Sequence, residues 1–146
     1  MSIAAALRLF LLSIPSLAAM VTTDSKPRIY PKRAPQNAVY PLFRYVMVSA
    51  NYPQNLRHAA GVKRARYQLD FYSLTHDDLD TAASLLHENL NGFKGQWNDI
   101  EIKRAVIADE RDLDEDEAVA ATDRPIYRRL FELEIVAKIR TNVLIT

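Results

Sequence analysis

Three kinds of residue are scarce or missing in this 146-residue chain, which has no cysteine, three glycines and one tryptophan. The absence of cysteine excludes disulfide bonds and thiolate metal sites. Glycine occurs only at positions 61, 92 and 95, which excludes a glycine-rich phosphate loop and a dinucleotide-binding fingerprint. Hydrophobic residues make up 49% of the chain, enough for one packed core. These counts predict a single domain, residues 1–146, with no bound cofactor.

Acidic residues are absent from residues 26–69, which carry nine lysines and arginines. Residues 70–123 carry fifteen acids against four bases. Such separation suits head-to-tail contact between copies, in which a basic patch of one subunit meets an acidic patch of its neighbour. The alternative is that strands and helices interleave in space, so that the charges mix on a solvated surface. The sequence leaves both interpretations open.

A long apolar run is also missing, because Arg8 divides the N-terminal apolar segment into Ile3–Leu7 and Leu9–Leu12. Both pieces are far shorter than the ~20 residues of a membrane span, so we predict no membrane partner. The first twenty-one residues resemble a secretory signal. Ser2 as N-cap and the helical spacing of the apolar residues favour instead a helix that docks on a sheet, with a further short turn after Pro15.

The segment from Pro31 to Pro41 is basic and rich in proline, and it predicts a rigid, non-helical bend. Residues 42–49 alternate as the first long strand. Residues 51–63 show no periodicity and predict an extended basic hairpin loop. Residues 64–73 form a second strand with one buried face and one face in water. The water face is predicted to carry Arg64, Arg66, Gln68 and Asp70.

Thr75 is predicted to begin a helix that ends at Asn91-Gly92. A third strand follows Asn98, and its predicted common face consists of Ile100, Ile102, Val106 and Ala108. Residues 109–117 are predicted to leave this strand, because like charges repel at such density and acidic residues have low β-propensity. The last strand spans residues 126–140.

The resulting order is helix, strand, strand, helix, strand, strand. It predicts an α+β fold with a mixed or antiparallel four-stranded sheet and helices packed on one face.

Residues that could carry chemistry are few. His76 and His87 lie on one predicted helix but are ~16 Å apart along its axis, so they cannot share a metal ion. The acidic run at 109–117 lacks the central glycine and the spaced glutamate of a calcium loop, which favours a solvated or partner-facing loop. We therefore predict no catalytic residue and no metal site.

The hairpin loop and the start of the second strand form a basic surface near Tyr52. Arginine beside aromatic residues can contact nucleic-acid phosphates, whereas a basic strand face is also commonly solvated or paired with acids. The residues in question are Arg57, Lys63, Arg64 and Arg66.

Several short motifs occur in an order that resembles the tail completion proteins of long-tailed bacteriophages and prophages, the tail terminators and tail-to-head joining proteins. They are an N-terminal helix with Ala-Leu-Arg, Arg28-Ile-Tyr-Pro31 with Ala34-Pro35-Gln36 and Pro41, Tyr67–Ser73 before a helix with Ala82-Ala83, Asp109–Asp112, and a final strand from Tyr127 to Ile135.

The resemblance implies a non-enzymatic subunit that forms a ring, typically of six copies, on top of the tail tube. Its partners would be other copies of itself, the tail tube protein, the head-tail connector proteins and, non-specifically, passing DNA. Its location would be the virion tail or neck, and the bacterial cytoplasm during assembly.

Applied to this chain, the resemblance and the charge pattern assign two sets of surface residues. The residues expected at a subunit or partner interface are Arg33, Pro35, Asp112, Asp114, Glu115, Asp116 and Glu117. The residues expected in a loop that faces the lumen or DNA are Arg57, Lys63, Arg64 and Arg66. Two alternatives remain, a head-completion or neck connector subunit and, from a different class, a small α+β ligand-binding domain or enzyme.

Overall fold

Three helices and eight strands make up the described part of the computed structural model, which covers residues 2–53, 61–113 and 125–138. The helices are α1 (Ile3–Leu12), α2 (Pro15–Val21) and α3 (His76–Asn89). The strands are β1 (Thr22–Thr23), β2 (Lys26–Pro27), β3 (Ile29–Pro31), β4 (Leu42–Asn51), β5 (Val62–Ser73), β6 (Phe93–Trp97), β7 (Ile100–Leu113) and β8 (Tyr127–Lys138).

Six of the strands form one mixed sheet in the order β3-β4-β5-β8-β7-β6, and β1 pairs with β2 separately. All neighbours in the large sheet are antiparallel except β3 and β4. The longest pairing joins β5 to β8 from Val62 to Ser73, so these two strands form the centre of the sheet. The chain's last described strand therefore inserts between β5 and β7, which are separated in the sequence by α3 and β6.

The predicted fold class, a four-stranded sheet with helices packed on one face, is wrong. The sheet has six strands, and half of the described residues lie in strands. The extra strands β3 and β6 have three and five residues, too short for a periodic signal to distinguish them from loops. The predicted hairpin is confirmed, because β4 and β5 are antiparallel neighbours whose pairing reaches Asn51 and Arg64.

The prediction that the acidic segment leaves the third strand at residue 109 is also wrong. β7 continues to Leu113 and pairs with β8 as far as Arg128. The predicted common face of this strand is right for Ile100 and Ile102 but wrong for Val106 and Ala108, because irregularities at 102/104 and 107/109 shift its register. The β7 side chains that join the core are Ile100, Ile102, Ala105 and Ile107.

The N-terminal residues form the two predicted short helices, which confirms the docked helix and the second turn after Pro15. Ser2 caps α1 by accepting a hydrogen bond from the Ala5 N–H. Leu7, Leu11 and Leu17 have no exposed surface, and burying each such side chain stabilises the fold by about 1.5–3 kcal/mol. The helices thus belong to the same core as the sheet.

None of the described helices is by itself long and apolar enough to cross a membrane. Together α1 and α2 have the necessary length and composition, but they are bent by 96° at the break between them.

The helix α3 agrees with its predicted stripe. Its core-facing residues are Leu79, Ala82, Ala83 and Leu86, continued by Leu90. Gly92 follows with a φ of +82°, a conformation that glycine adopts without strain, and its N–H donates to the Ala105 carbonyl. The turn therefore leads the chain directly into β6 beside β7.

Candidate functional site

The Pro31–Pro41 bend forms one wall of a surface cleft of about 500 Å³. Lys32 and Asn37 hold left-handed backbone conformations with φ near +63° and +64°, which are strained for residues with a side chain. The cleft lining combines the bend with side chains from the sheet: Arg33, Ala34, Pro35, Gln36, Asn37, Ala38, Tyr40, Leu42, Arg44, Tyr72 and Ile126. Both predicted interface residues of the bend, Arg33 and Pro35, are exposed at this cleft.

Beneath the cleft lies a fully buried carboxylate, Asp70, with no exposed surface. Arg44 donates to its Oδ2 through Nε and Nη2, and Gln68 donates to the same oxygen at 3.0 Å. Arg128 donates to Oδ1 at 3.2 Å. Both guanidinium groups also lie near the Tyr72 ring, at 5.8 and 5.5 Å from its centroid. Asp70 therefore joins β4, β5 and β8 on the sheet face that was predicted to be wet, and that prediction is wrong for this residue.

A second buried ion, Arg28, fixes the bend to the N-terminal helices. Its Nε donates to the Pro41 carbonyl at 2.8 Å, Nη1 to the Thr23 hydroxyl at 2.6 Å, and Nη2 to the Met20 carbonyl at 3.1 Å. The residue is 8% exposed. Since one side chain connects three segments, the position of the bend depends on α2 and β1.

At the opposite side of the sheet, Arg129 is the centre of an acidic cluster. It donates to Asp112 through Nε at 2.6 Å and to Asp80 through Nη1 at 3.0 Å, and Glu110 lies 3.5 Å from Nη1. Arg129 is 9% exposed, whereas the side chains of Asp112 and Asp80 are 50% and 63% exposed. This arginine explains how the acidic end of β7 can remain in the sheet, since it offsets the repulsion between the carboxylates.

The proton equilibria of this cluster are shifted by their contacts. The hydrogen bond from Arg129 lowers the pKa of Asp112, and the smaller contribution of His76 acts in the same direction. The hydrogen bond to Asp112 likewise raises the pKa of Arg129. Both groups therefore stay charged over a wider pH range than in the unfolded chain.

The two histidines of α3 each approach an acid of β7. His87 Nε2 lies 2.7 Å from Glu110 Oε1, and His76 Nε2 lies 3.5 Å from Asp112 Oδ2. Both side chains are about half exposed. Across residues 2–53, 61–113 and 125–138, no group of three or more histidine, aspartate or glutamate side chains could hold a metal ion.

The basic residues predicted for the lumen divide between the two faces of the sheet. Arg64 and Arg66 are exposed and alternate with the buried Ala65 and Tyr67. Arg66 lies directly opposite an acid of the neighbouring strand, Glu134 of β8, in the strand register. Lys63 lies 5.7 Å from the centroid of the Tyr52 ring. Arg57 lies outside the described residues.

The described members of the predicted interface are not brought together within one copy. Arg33 and Pro35 follow the edge strand β3, whereas Asp112 belongs to β7 near the other edge of the sheet. Asp114, Glu115, Asp116 and Glu117 lie outside the described residues. The charges of the two halves of the chain do meet in part, because Arg44 from the acid-free half pairs with Asp70.

The sequence did not identify Asp70, Arg129 or Arg28 as organising residues. A usable signal was present for two of them. Asp70 is the one acid of β5 and lies between the apolar Leu69 and Phe71, and Arg129 occupies a core-facing position in the alternation of β8. An arginine on the buried face of a strand needs acidic partners, so its presence in a chain segment rich in acids predicts an ion cluster. For Arg28, the acceptors are mainly backbone carbonyls, which no sequence pattern identifies.

No protein-family description matches the chain, and no curated protein matches it. Among solved structures, the chain is similar to one in the structure titled "Virion of native gene transfer agent (GTA) particle". The identity is 12% and the TM-score is 0.60, and the match covers 94% of this chain and 98% of the other. The two chains thus share a fold over nearly their whole lengths.

Proposed function

We propose that this chain is a non-enzymatic structural subunit of a phage-like virion. The observation that carries the proposal is the fold shared with a virion chain across nearly all of both chains. Within that role, the motifs of the sequence favour a ring at the head-proximal end of a long tail, where it ends tail-tube growth and joins the tail to the head. A neck connector is the nearest alternative, because it would use the same kind of ring.

Two oppositely charged surfaces on one subunit support a head-to-tail ring. The bend carries Lys32 and Arg33 beside the acid-free strand β4, whereas the end of β7 carries three partly or fully exposed acids, Asp109, Glu110 and Asp112. Contacts between two different surfaces generate closed rings when the rotation between subunits closes. We infer that Arg33 and Pro35 lie at one side of the subunit boundary and Asp112 with residues 114–117 at the other.

The lumen assignment rests on the basic start of β5. Arg64 lies opposite the uncharged Val136, so the described strands place no acid directly across from it. In the proposed ring, the end of the β4–β5 hairpin points into the passage for DNA. There Arg64 and Arg66 on one face of the sheet, Lys63 on the other, and Arg57 contact phosphates without reading sequence.

The ring itself is tested by native mass spectrometry and negative-stain microscopy of the purified protein, alone and with tail tubes. We expect closed rings with an open lumen, on the tubes if not in solution. A protein that stays monomeric and leaves tube length unchanged contradicts the proposal.

The contribution of charge is tested by reversing Glu115 and Glu117 to lysine. We expect loss of rings at low salt, because the acidic side of the contact is inverted. A matched control reverses Glu88 and Glu101, which changes the net charge by the same amount at positions away from the run. Equal loss of rings in both variants would show that net charge, and not this contact, governs assembly.

The cleft beside the bend keeps a ligand-binding domain as a second candidate. Arg33, Arg44, Tyr40 and Tyr72 bring cationic and aromatic side chains to one concave surface, as in many ligand sites. A thermal-shift screen with small mono- and dicarboxylates tests it. Saturable stabilisation that Arg44→Met abolishes would support this function over the ring.

A further inference from the structure

The side of β4 that faces β3 is covered over only part of its length. β3 pairs with Phe43, Arg44 and Tyr45, and Lys32 donates the last bond of this edge to the Tyr45 carbonyl. Phe43 also uses its N–H on this side. Because alternate residues of a strand face the same edge, Met47 directs its backbone groups there too. Among the described residues, no strand pairs with this part of β4.

The far side of β7 is covered over the other part of its length. β6 pairs with β7 between Ile100 and Ala105, and the Asn91 side chain accepts from the Ile107 N–H. From Ala108 to Leu113, no described strand pairs with β7 on the side away from β8. Within residues 2–53, 61–113 and 125–138, the two edges of the sheet are therefore each open over about half a strand.

The two open halves lie at opposite ends of the sheet. The open part of β4 pairs with Arg64–Tyr67 of β5. The open part of β7 pairs with residues of β8 that in turn pair with Gln68–Tyr72 of β5. β4 and β7 run antiparallel, because three antiparallel pairings separate them. When sheets join into a closed barrel or ring, their strands tilt relative to its axis. This tilt requires a stagger of this kind between neighbouring edges.

The side chains of the two edges are complementary in charge. The basic edge consists of Lys32, Arg33 and the open part of β4, and residues 26–69 contain no acid. The acidic edge carries Asp109, Glu110 and Asp112. Within the subunit these three acids share two arginines, because Asp109 contacts Arg111 and the other two contact Arg129. Exposed strand edges commonly carry charges that prevent indiscriminate pairing. Here the opposite charges of the two edges disfavour pairing between two identical edges and favour pairing of a basic edge with an acidic edge.

The basic edge also exposes apolar surface. Met47 and Val48 are 49% and 55% exposed, and both lie in the uncovered part of β4. Apolar side chains on an unpaired strand edge mark a contact with another chain.

From the proposed ring we infer how its subunits join: the open half of β4 in one copy pairs antiparallel with the open half of β7 in the next. The inference rests on the proposed function for the ring and adds to it the strands that form the contact. The register shift at Val48 and the one at Ala108 place one extra exposed residue on each edge.

Crosslinking between single-cysteine variants tests the contact, since the chain has no cysteine of its own. One variant carries Val48→Cys and the other Ala108→Cys, both at exposed positions, and each bears a tag of different mass. They are mixed, assembled and treated with a short thiol-reactive crosslinker. A control mixture pairs Val48→Cys with Ser84→Cys, an exposed residue of α3. Native mass of the untreated mixtures reports the ring independently.

We expect covalent dimers of mixed composition in the first mixture, in excess over the control by about tenfold or more. The strand contact would hold the two thiols at a millimolar effective concentration, whereas chance collisions occur at the micromolar protein concentration. Rings without this excess overturn the strand contact and leave the ring intact. Crosslinked dimers that contain only one of the two variants show that two identical edges meet, which also overturns the strand contact. Mixed dimers in open filaments support the contact and overturn the ring, and a monomer without dimers overturns both.

Discussion

Two ion clusters of this protein use the same residue types in different surroundings. In one, the carboxylate of Asp70 is fully buried between Arg44 and Arg128. In the other, Arg129 is the buried centre, and its partners Asp112 and Asp80 are at least half exposed. Loss of a centre therefore has different consequences. Removing Arg129 leaves half-exposed acids that water can solvate, whereas removing Asp70 leaves two partly buried guanidinium groups without their shared carboxylate.

The largest effect is expected from Asp70→Ala. Two partly buried guanidinium groups would lose their common counter-charge, and breaking such a buried pair costs about 3–5 kcal/mol. Urea denaturation of the purified variant measures the loss. Asp77→Ala, at an exposed position of α3, is the control and should change stability much less. A loss from Asp70→Ala no larger than that of the control would contradict the importance of the buried carboxylate.

A smaller loss is expected from Arg129→Met, which keeps most of the apolar stem. Hydrogen bonds to charged groups contribute about 1.5–3 kcal/mol, and solvation of the exposed acids should keep the loss near the lower limit. The same denaturation measurement applies. Near-ultraviolet circular dichroism checks that the end of β7 stays ordered. A loss that exceeds that of Asp70→Ala would reverse the comparison between the clusters.

Acid should weaken the exposed cluster slightly. The pKa of Asp112 is lowered by the hydrogen bond from Arg129, so its stabilisation is complete above the unfolded pKa of about 3.9 and is lost as pH falls through the lower folded pKa. Because Asp112 is half exposed, we expect less than about 1 kcal/mol. Asp112→Asn removes this titration, so its stability should depend less on pH below 4. Identical profiles for the two proteins would show that the ion pair does not contribute.

The smallest effect is expected at an exposed pair of β7 outside both clusters. Lys103 Nζ lies 2.7 Å from Glu101 Oε2, and its hydrogen bond lowers the pKa of Glu101. Since both side chains are well exposed, Lys103→Ala should leave the melting temperature unchanged within error at physiological salt. A clear decrease would mean that short distances, and not burial, decide which ion pairs stabilise this fold.

The elements with a strong period were predictable from the sequence. The helix from His76 and the alternation of β5 and β8 follow from apolar spacing alone, and their boundaries agree closely with the described residues. The predicted end of the last strand, residues 139–140, lies outside the described residues. β3 and β6 were not predictable, because they are short and are defined by pairing with distant strands. The register of β7 was not predictable either, since its irregularities depend on what lies across from it in β8.

The candidate site was predictable only as a set of surface charges. The sequence located Arg33 and Pro35 in a rigid bend and the acids from Asp112 onward in a separate segment. It could not show that Arg33 and Pro35 line a cleft with Arg44 and Tyr72, because these residues meet only after β4, β5 and β8 have paired. The ring, the lumen and the tail position remain predictions that the proposed experiments address.

By itself, the sequence determined a chain without disulfides, with enough apolar residues for one core and with its charges separated along its length. Only the tertiary structure decided which charges are neutralised and which remain at the surface. β8 inserts between β5 and β7, so it brings Arg128 to Asp70 and Arg129 to Asp112 from opposite faces of one strand. The physical reason is that the energy of an ion pair depends on distance and burial, which nonlocal strand pairing sets and sequence separation does not.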